Sequence, residues 1–222
     1  MIKNICREKA NIYGDTIMKN PWEGISLSDY ENHMSLEGVK QLQQLNYIMK
    51  EQFEIFPVSS AMVLGVAGGN GLEYVNPKKY KKIYGVDVNK KYLEETRKRF
   101  HNLGDSLQLL CINLLDEVNK VPKADLLIAN LLIEYIGYES FNEVVKKANP
   151  KFISCVIQIN ETKEFVSDSP YLHVFDGLER VHCQMESDVL TKHMMNIGYT
   201  NIETKEYPLP NGKKLVRLDY MK

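Results

Sequence analysis

Between residues 61 and 159 the chain repeats one pattern: a short apolar run, a turn, then a stretch with apolar residues at three- and four-residue spacing. The apolar runs, 61–66, 83–87, 107–112, 126–129 and 152–159, read as strands. Between them, 90–103 carries Tyr92, Leu93, Thr96 and Phe100 on one side, and 138–148 ends at Asn149-Pro150, so both read as helices. Parallel pairing follows, because strands linked through helices have the long crossover that a parallel connection needs. After an irregular polar stretch from 160 to 185, a helix is expected at 186–197. The runs 201–207 and 213–220, around Pro210-Asn211-Gly212, then read as a hairpin that turns the last strand antiparallel. The expected fold is α/β, a doubly wound, mostly parallel seven-stranded sheet with an antiparallel C-terminal hairpin.

Upstream, residues 1–60 are helical in character, and Leu36, Val39, Leu42, Leu45 and Ile48 with Met49 form an amphipathic stripe that Pro57 ends. We expect one domain over 1–222: a helical cap or lid at 1–57, a core at 58–160, a second lid at 161–185, and the C-terminal helix and hairpin at 186–222. The formal charge of −1 gives no general attraction to nucleic acid or to an anionic membrane. Lysines 78, 79, 81 and 82 and the run Arg97-Lys98-Arg99 read as solvated faces, with Glu94 and Glu95 between them. The four cysteines are scattered without a C-x-x-C pair, so neither a disulfide framework nor a zinc site is expected, and Cys111 and Cys155 read as buried small hydrophobes. The charged N-terminus lacks a secretory h-region, and no segment reaches the ~18 apolar residues of a membrane span. The expectation is a soluble cytoplasmic protein with no metal.

Two segments carry the chemistry. Val63-Leu64-Gly65-Val66-Ala67-Gly68-Gly69-Asn70-Gly71 runs from a strand into a glycine cluster, and Ile83-Tyr84-Gly85-Val86-Asp87 is a second strand stopping at an acid. Glycines let the backbone turn sharply and approach a ligand closely, and an acid at the end of the next strand is placed to accept from a ribose diol. Asp87 also suits capping the following helix. A phosphate-binding P-loop needs G-K-[ST], whereas Leu72-Glu73 follow Gly71. A dinucleotide G-x-G-x-x-G starting at Gly69 would place Tyr74 where the third glycine allows close helix packing.

The order of motifs resembles that of the class I S-adenosylmethionine-dependent methyltransferases, which have a Rossmann-like fold. Residues 63–71 resemble motif I, Asp87 the motif II acid, Leu110-Cys111-Ile112-Asn113-Leu114-Leu115 the motif III turn, and Asp125 to Leu131 motif IV. The resemblance covers about 58–160 and extends through the closing hairpin. It implies that Gly65, Ala67, Gly69 and Gly71 border the methionine tail and that Asp87 holds the ribose. Val88, Asn113 and Leu114 would flank the adenine, and Asn130 and Leu131 would face the sulfonium end. Two positions depart from the pattern: Gly65 replaces the motif I acid and Ala67 the first loop glycine. Asn113 stands where the family commonly has Asp, and its carbonyl oxygen still accepts a hydrogen bond.

In this fold the substrate lid comes from the N-terminal helices and from the segment after the fifth strand. The first supplies Tyr13, Trp22, Tyr30 and His33, the second Tyr171, His173, Phe175 and His182. His33 is the expected catalytic side chain and Tyr30, His33 and Tyr135 the substrate contacts, with Glu134 the next candidate. Adjacent His182 and Cys183 cannot share a helical face, which argues against a pair. Leu131-Leu132 after Asn130 departs from the N-P-P-[YF] signature of relatives that methylate amides and bases, so a small-molecule acceptor is expected rather than nucleic acid. The rival readings are a cofactor-binding module without transferase activity and an NAD-dependent oxidoreductase.

Overall fold

The computed structural model describes residues 20–160 and 165–222. Tyr13 and the helical character expected before residue 20 lie outside the described residues. Seven strands form one sheet: β1 (Ser60–Leu64), β2 (Lys82–Asp87), β3 (Leu107–Cys111), β4 (Leu126–Asn130), β5 (Phe152–Ile159), β6 (Thr200–Pro208) and β7 (Lys214–Met221), in the order β3-β2-β1-β4-β5-β7-β6. Pairing is parallel from β3 through β5, and β7 is antiparallel to both β5 and β6. The strand order reverses between β1 and β4, so the carboxyl ends of β1, β2 and β4 open a crevice there.

Each central strand is buried on both faces, which is why its sequence reads as a continuous apolar run. Ala61, Val63, Leu126 and Ile128 point into one core with Met49, Phe53 and Leu93. The alternating residues Met62, Leu64, Leu127 and Ala129 point into the opposite core with Ile133, Phe141, Val144 and Leu190. The first core is covered by α2 (Gln41–Ile55) and α3 (Lys90–Arg99), the second by α4 (Ile133–Ala148) and α5 (Ser187–Asn196). A further helix, α1 (Leu27–Ser35), is capped by Ser26, whose Oγ accepts from Asp29 N at 3.1 Å. Met34 of α1 joins Leu45 and Ile48 of α2 on Val156, Tyr207 and Leu215 of the late strands.

Several boundaries differ from those read in the sequence. The N-terminal stripe is helical only from Leu42 onward: Leu36 caps the end of α1, Val39 lies in the connecting turn, and α2 begins after Lys40 at φ 51°. The helix expected over 90–103 ends at Arg99 and continues as a tighter turn through Ser106. Helix α4 starts at Ile133, five residues before the expected start, with Gly137 at φ 75° interrupting it. Cys155 is buried and free as expected, but Cys111 is exposed, because edge strand β3 has one open flank. Cys183 is disulfide-bonded, which its spacing in the sequence did not signal. Among the described residues no helix is long and apolar enough to cross a membrane.

Candidate active site

The crevice is built from the loop after β1. Beyond Leu64, Gly65 takes φ 66° and the chain turns across the end of β2. Val66 N donates to Val86 O at 3.1 Å, and Ala67 N donates to Asp87 Oδ2 at 2.9 Å. The Ala67 carbonyl accepts from Thr96 Oγ1 on α3 at 2.6 Å. These two bonds hold Ala67 at φ 46°, a left-handed conformation costing about 1 kcal/mol with a Cβ. Ala67→Gly is therefore expected to change stability by less than about 1 kcal/mol, since relief of strain opposes the greater unfolded-state freedom of glycine. Urea denaturation measures it, and a loss above that figure would mean the methyl group has a packing role.

Asp87 is 8% exposed, and its other oxygen, Oδ1, accepts from Asn89 N at 2.8 Å. Burial pushes its carboxyl up to about 6, against the opposing pull of the Asn89, Ala67 and Val88 backbone N–H groups. The cap of α3 is Asn89, whose Oδ1 accepts from Lys91 N and Tyr92 N. Asp87 is thus freed of the capping role its position suggested, and each of its oxygens keeps a lone pair for a ligand.

Around Asp87 lies a cavity of about 820 Å³, a volume that includes the solvent-open space at its mouth. Gly65, Ala67, Asp87, Val88, Asn113, Leu114, Asn130 and Leu131, all expected from the sequence, line it, together with Tyr30 and Tyr135. Val86, Ile112 and Leu115 add apolar wall, and no Lys, Arg or His lies in the lining among the described residues. Asn113 closes its own turn: Oδ1 accepts from Leu115 N at 3.2 Å and Nδ2 donates to Asp116 Oδ2 at 2.7 Å. The Asn130 amide is held in a reciprocal pair with Gln52, at 2.9 and 3.0 Å, and Gln52 also donates to Ser154 Oγ at 2.8 Å. Leu131 turns the chain at φ 52°, a strained conformation of the kind that concentrates at ligand sites.

Gly69 and Gly71 lie outside the lining. A Cβ on Gly69 would meet the Phe100 ring at 2.5 Å, and one on Gly71 would meet Met49 Cβ at 2.4 Å. Both glycines let α2 and α3 close on the loop. At Gly65 a Cβ would sit 3.2 Å from Leu132 Cδ1, a close contact that the leucine tip would have to relieve, and φ 66° itself disfavours a side chain.

No family model matches the chain, and no curated protein matches it by sequence. Solved structures do match. The N-methyltransferase NodS from Bradyrhizobium japonicum WM9, in complex with S-adenosylhomocysteine, superposes with a TM-score of 0.62 at 11% identity, over 88% of this chain and 97% of its own. Magnesium protoporphyrin IX methyltransferase (ChlM) from Synechocystis PCC 6803, also with S-adenosylhomocysteine, gives 0.60 at 12% identity over 97% and 94%. The cyclopropane synthase MmaA2 from Mycobacterium tuberculosis gives 0.64 at 8% identity over 94% and 100%. The chain has the class I methyltransferase fold. At such identities the likeness concerns the fold, and the chemistry has to be argued from the site.

On this methyltransferase fold a second chamber of about 530 Å³ adjoins the first, and Trp22, Tyr30, Leu131 and Tyr135 line both. The Trp22 ring meets Tyr135 edge-on at 4.9 Å and Tyr30 at 5.9 Å. His33 lines the second chamber; its Nδ1 lies 2.8 Å from Ser169 Oγ and its ring 4.8 Å from that of Phe175. Burial, aided by the Lys213 charge, lowers the His33 pKa and takes that of His182 down to about 4. Both imidazoles are therefore neutral at pH 7. His182 stacks on Phe165 at 3.9 Å. Sequence reasoning missed Gln41 and Gln158, whose side chains bond to one another, and ranked Glu134 below Tyr135. Their only signal was position, Glu134 in the first turn after motif IV and Gln158 near the end of β5.

Proposed function

We propose that the chain binds S-adenosylmethionine in the first chamber and catalyses transfer of its methyl group to a small molecule in the second. The observation that carries this reading is the charge of the first chamber: among the described residues its lining holds the carboxylate of Asp87 and no cationic side chain. A pyrophosphate would be repelled there, whereas a ligand with a ribose diol and a sulfonium cation is stabilised. The neighbours NodS and ChlM were solved with S-adenosylhomocysteine, which supports the same ligand class. When bound, S-adenosylmethionine supplies a methyl carbon already activated as a leaving-group substrate.

The protein's own contribution is orientation and exclusion of water. Asp87 accepts the ribose hydroxyls, Val88 and Leu114 supply apolar surface for the adenine, and the Ala67 turn lets backbone approach the amino-acid tail. Asn130 and Leu131 sit at the boundary of the two chambers. In the second chamber Tyr30, Tyr135 and neutral His33 contact the acceptor, with Ser169 fixing the His33 ring.

Isothermal titration calorimetry tests the reading. S-adenosylhomocysteine is expected to bind saturably and NADH not to bind; the reverse pattern would replace the methyltransferase with an oxidoreductase. Binding without transfer is a second reading, favoured by Gly65 standing where the motif I acid would be. Incubation with methyl-labelled S-adenosylmethionine and a metabolite extract decides between the two, since a pure binding module labels nothing.

A further inference from the structure

The second chamber contains one polar atom that the fold leaves unmatched. Glu134 is 3% exposed and is one of the lining residues. Its Oε1 accepts from Gln158 N at 2.9 Å, while Oε2 is buried with no hydrogen-bond partner among the described residues. A buried carboxylate oxygen left unmatched costs about 1–3 kcal/mol or more, and such atoms in a cavity wall point to a ligand or a water. Much of the remaining lining is aromatic, from Trp22, Tyr30, Tyr135, Phe165 and Phe175 with His182 stacked on Phe165, and its other polar side chains include His33, Gln41 and Gln158. Gln41 Nε2 donates to Gln158 Oε1, and Gln158 Nε2 donates to Asn160 Oδ1 and to the Phe165 carbonyl.

We propose that this chamber takes an uncharged, flat acceptor presenting one N–H or O–H to Glu134 Oε2, and that Glu134 receives that proton during methyl transfer. The transfer step rests on the methyltransferase reading; the recognition step does not. In it, the acceptor's nitrogen or oxygen lone pair forms the new bond to the methyl carbon as the carbon–sulfur bond breaks, its electron pair leaving on sulfur. The acceptor's proton passes to Glu134, which is left as a neutral carboxylic acid until water removes the proton after product release.

The electrostatics agree. Burial pushes the Glu134 carboxyl up to about 7, against its backbone hydrogen bonds, so it is poised to exchange a proton near neutrality. The titratable groups around it are Tyr135 and Tyr138 on its own helix, Cys155 on β5, and His33, His182 and Lys213 across the chamber. Burial holds the tyrosine and cysteine protons on and keeps both histidines neutral, which leaves Glu134 as the group that titrates at the chamber wall.

The test uses the full chain and calorimetric titration with two pairs of probes: benzimidazole against its N-methyl derivative, and para-cresol against its methyl ether. Each pair differs by the donor hydrogen, and the two pairs distinguish an N–H from an O–H acceptor. At least one donor is expected to bind about tenfold more tightly than its methylated partner. In Glu134→Gln the single amide oxygen must serve Gln158 N–H, which turns the NH2 toward the chamber, so the preference is expected to vanish. S-adenosylhomocysteine affinity should stay unchanged in that variant, because Glu134 does not line the first chamber. In the wild type the preference should grow as pH rises through about 7. No preference in either pair, equal preference in Glu134→Gln, or a preference flat with pH would overturn the proposal and assign Oε2 to a structural water. Loss of S-adenosylhomocysteine binding in the wild type would instead sink the methyltransferase reading while leaving the probe result standing.

Discussion

Asp87→Asn is expected to weaken S-adenosylhomocysteine binding by about 100-fold or more. Two hydrogen bonds from a diol to a buried carboxylate are worth about 1.5–3 kcal/mol each, and 1.4 kcal/mol is a factor of ten. The amide cannot reproduce the arrangement. Ala67 N and Asn89 N each donate to a different Asp87 oxygen, so one of them would face an NH2 group. Calorimetry measures the affinity, and thermal unfolding of the same sample separates lost contacts from a damaged loop. A dissociation constant within threefold of wild type would remove Asp87 from the site.

The same carboxyl makes two opposite pH trends. Diol binding requires the ionised form, so affinity should be flat above about pH 7 and fall about tenfold per unit below about 6. The contribution of Asp87 to the stability of the free protein runs the other way. The folded carboxyl lies above its ordinary unfolded value of about 4, so the folded state binds more protons between the two. Its contribution to stability is fully present below about pH 4 and is lost as pH rises through about 6. A stability difference between wild type and Asp87→Asn that stays constant between about pH 4 and 6 would show that another group governs the site.

Gly71→Ala is expected to cost about 3 kcal/mol or more of folding stability, through strain and overpacking together. Its φ is 91°, and a Cβ there would lie 2.4 Å from Met49 Cβ and 2.8 Å from Met49 Cγ. Met49 Cβ is fixed to the backbone of α2, so the neighbour cannot swing aside as a flexible tip would. Gly198 provides the control, since its φ of 89° matches but nothing lies within 4 Å. Gly198→Ala should cost about 1 kcal/mol, from strain alone. Equal losses in urea denaturation would refute close packing of α2 on the loop.

The contrast between these two glycines marks how far sequence reasoning reached. Apolar runs located the central strands, because a strand buried on both faces has no polar alternation to obscure it, whereas exposed β6 was placed by the turn at Pro210-Asn211-Gly212. Helix ends were harder. Gly137 inside α4 and Lys40 before α2 adopt positive φ, and local sequence does not say whether such a residue ends a helix or kinks it. The glycine cluster was read as a ligand-binding loop, yet Gly69 and Gly71 face Phe100 and Met49, residues distant in the chain. Asp87 also suited capping the following helix, and only the geometry gave that work to Asn89.

What the sequence determined by itself is the sheet, its mostly parallel order and the place of an acid at the end of β2, since these follow from local periodicity and from the length of the connections. Only the tertiary structure decided which side chains share a cavity. Glu134, Gln158, His33 and Trp22 come from four separated segments, and their meeting depends on how α1, α4 and β5 pack. Hydrophobic patterning specifies which face of each element is buried, but not which buried polar atom is left without a partner, and that property belongs to the assembled fold.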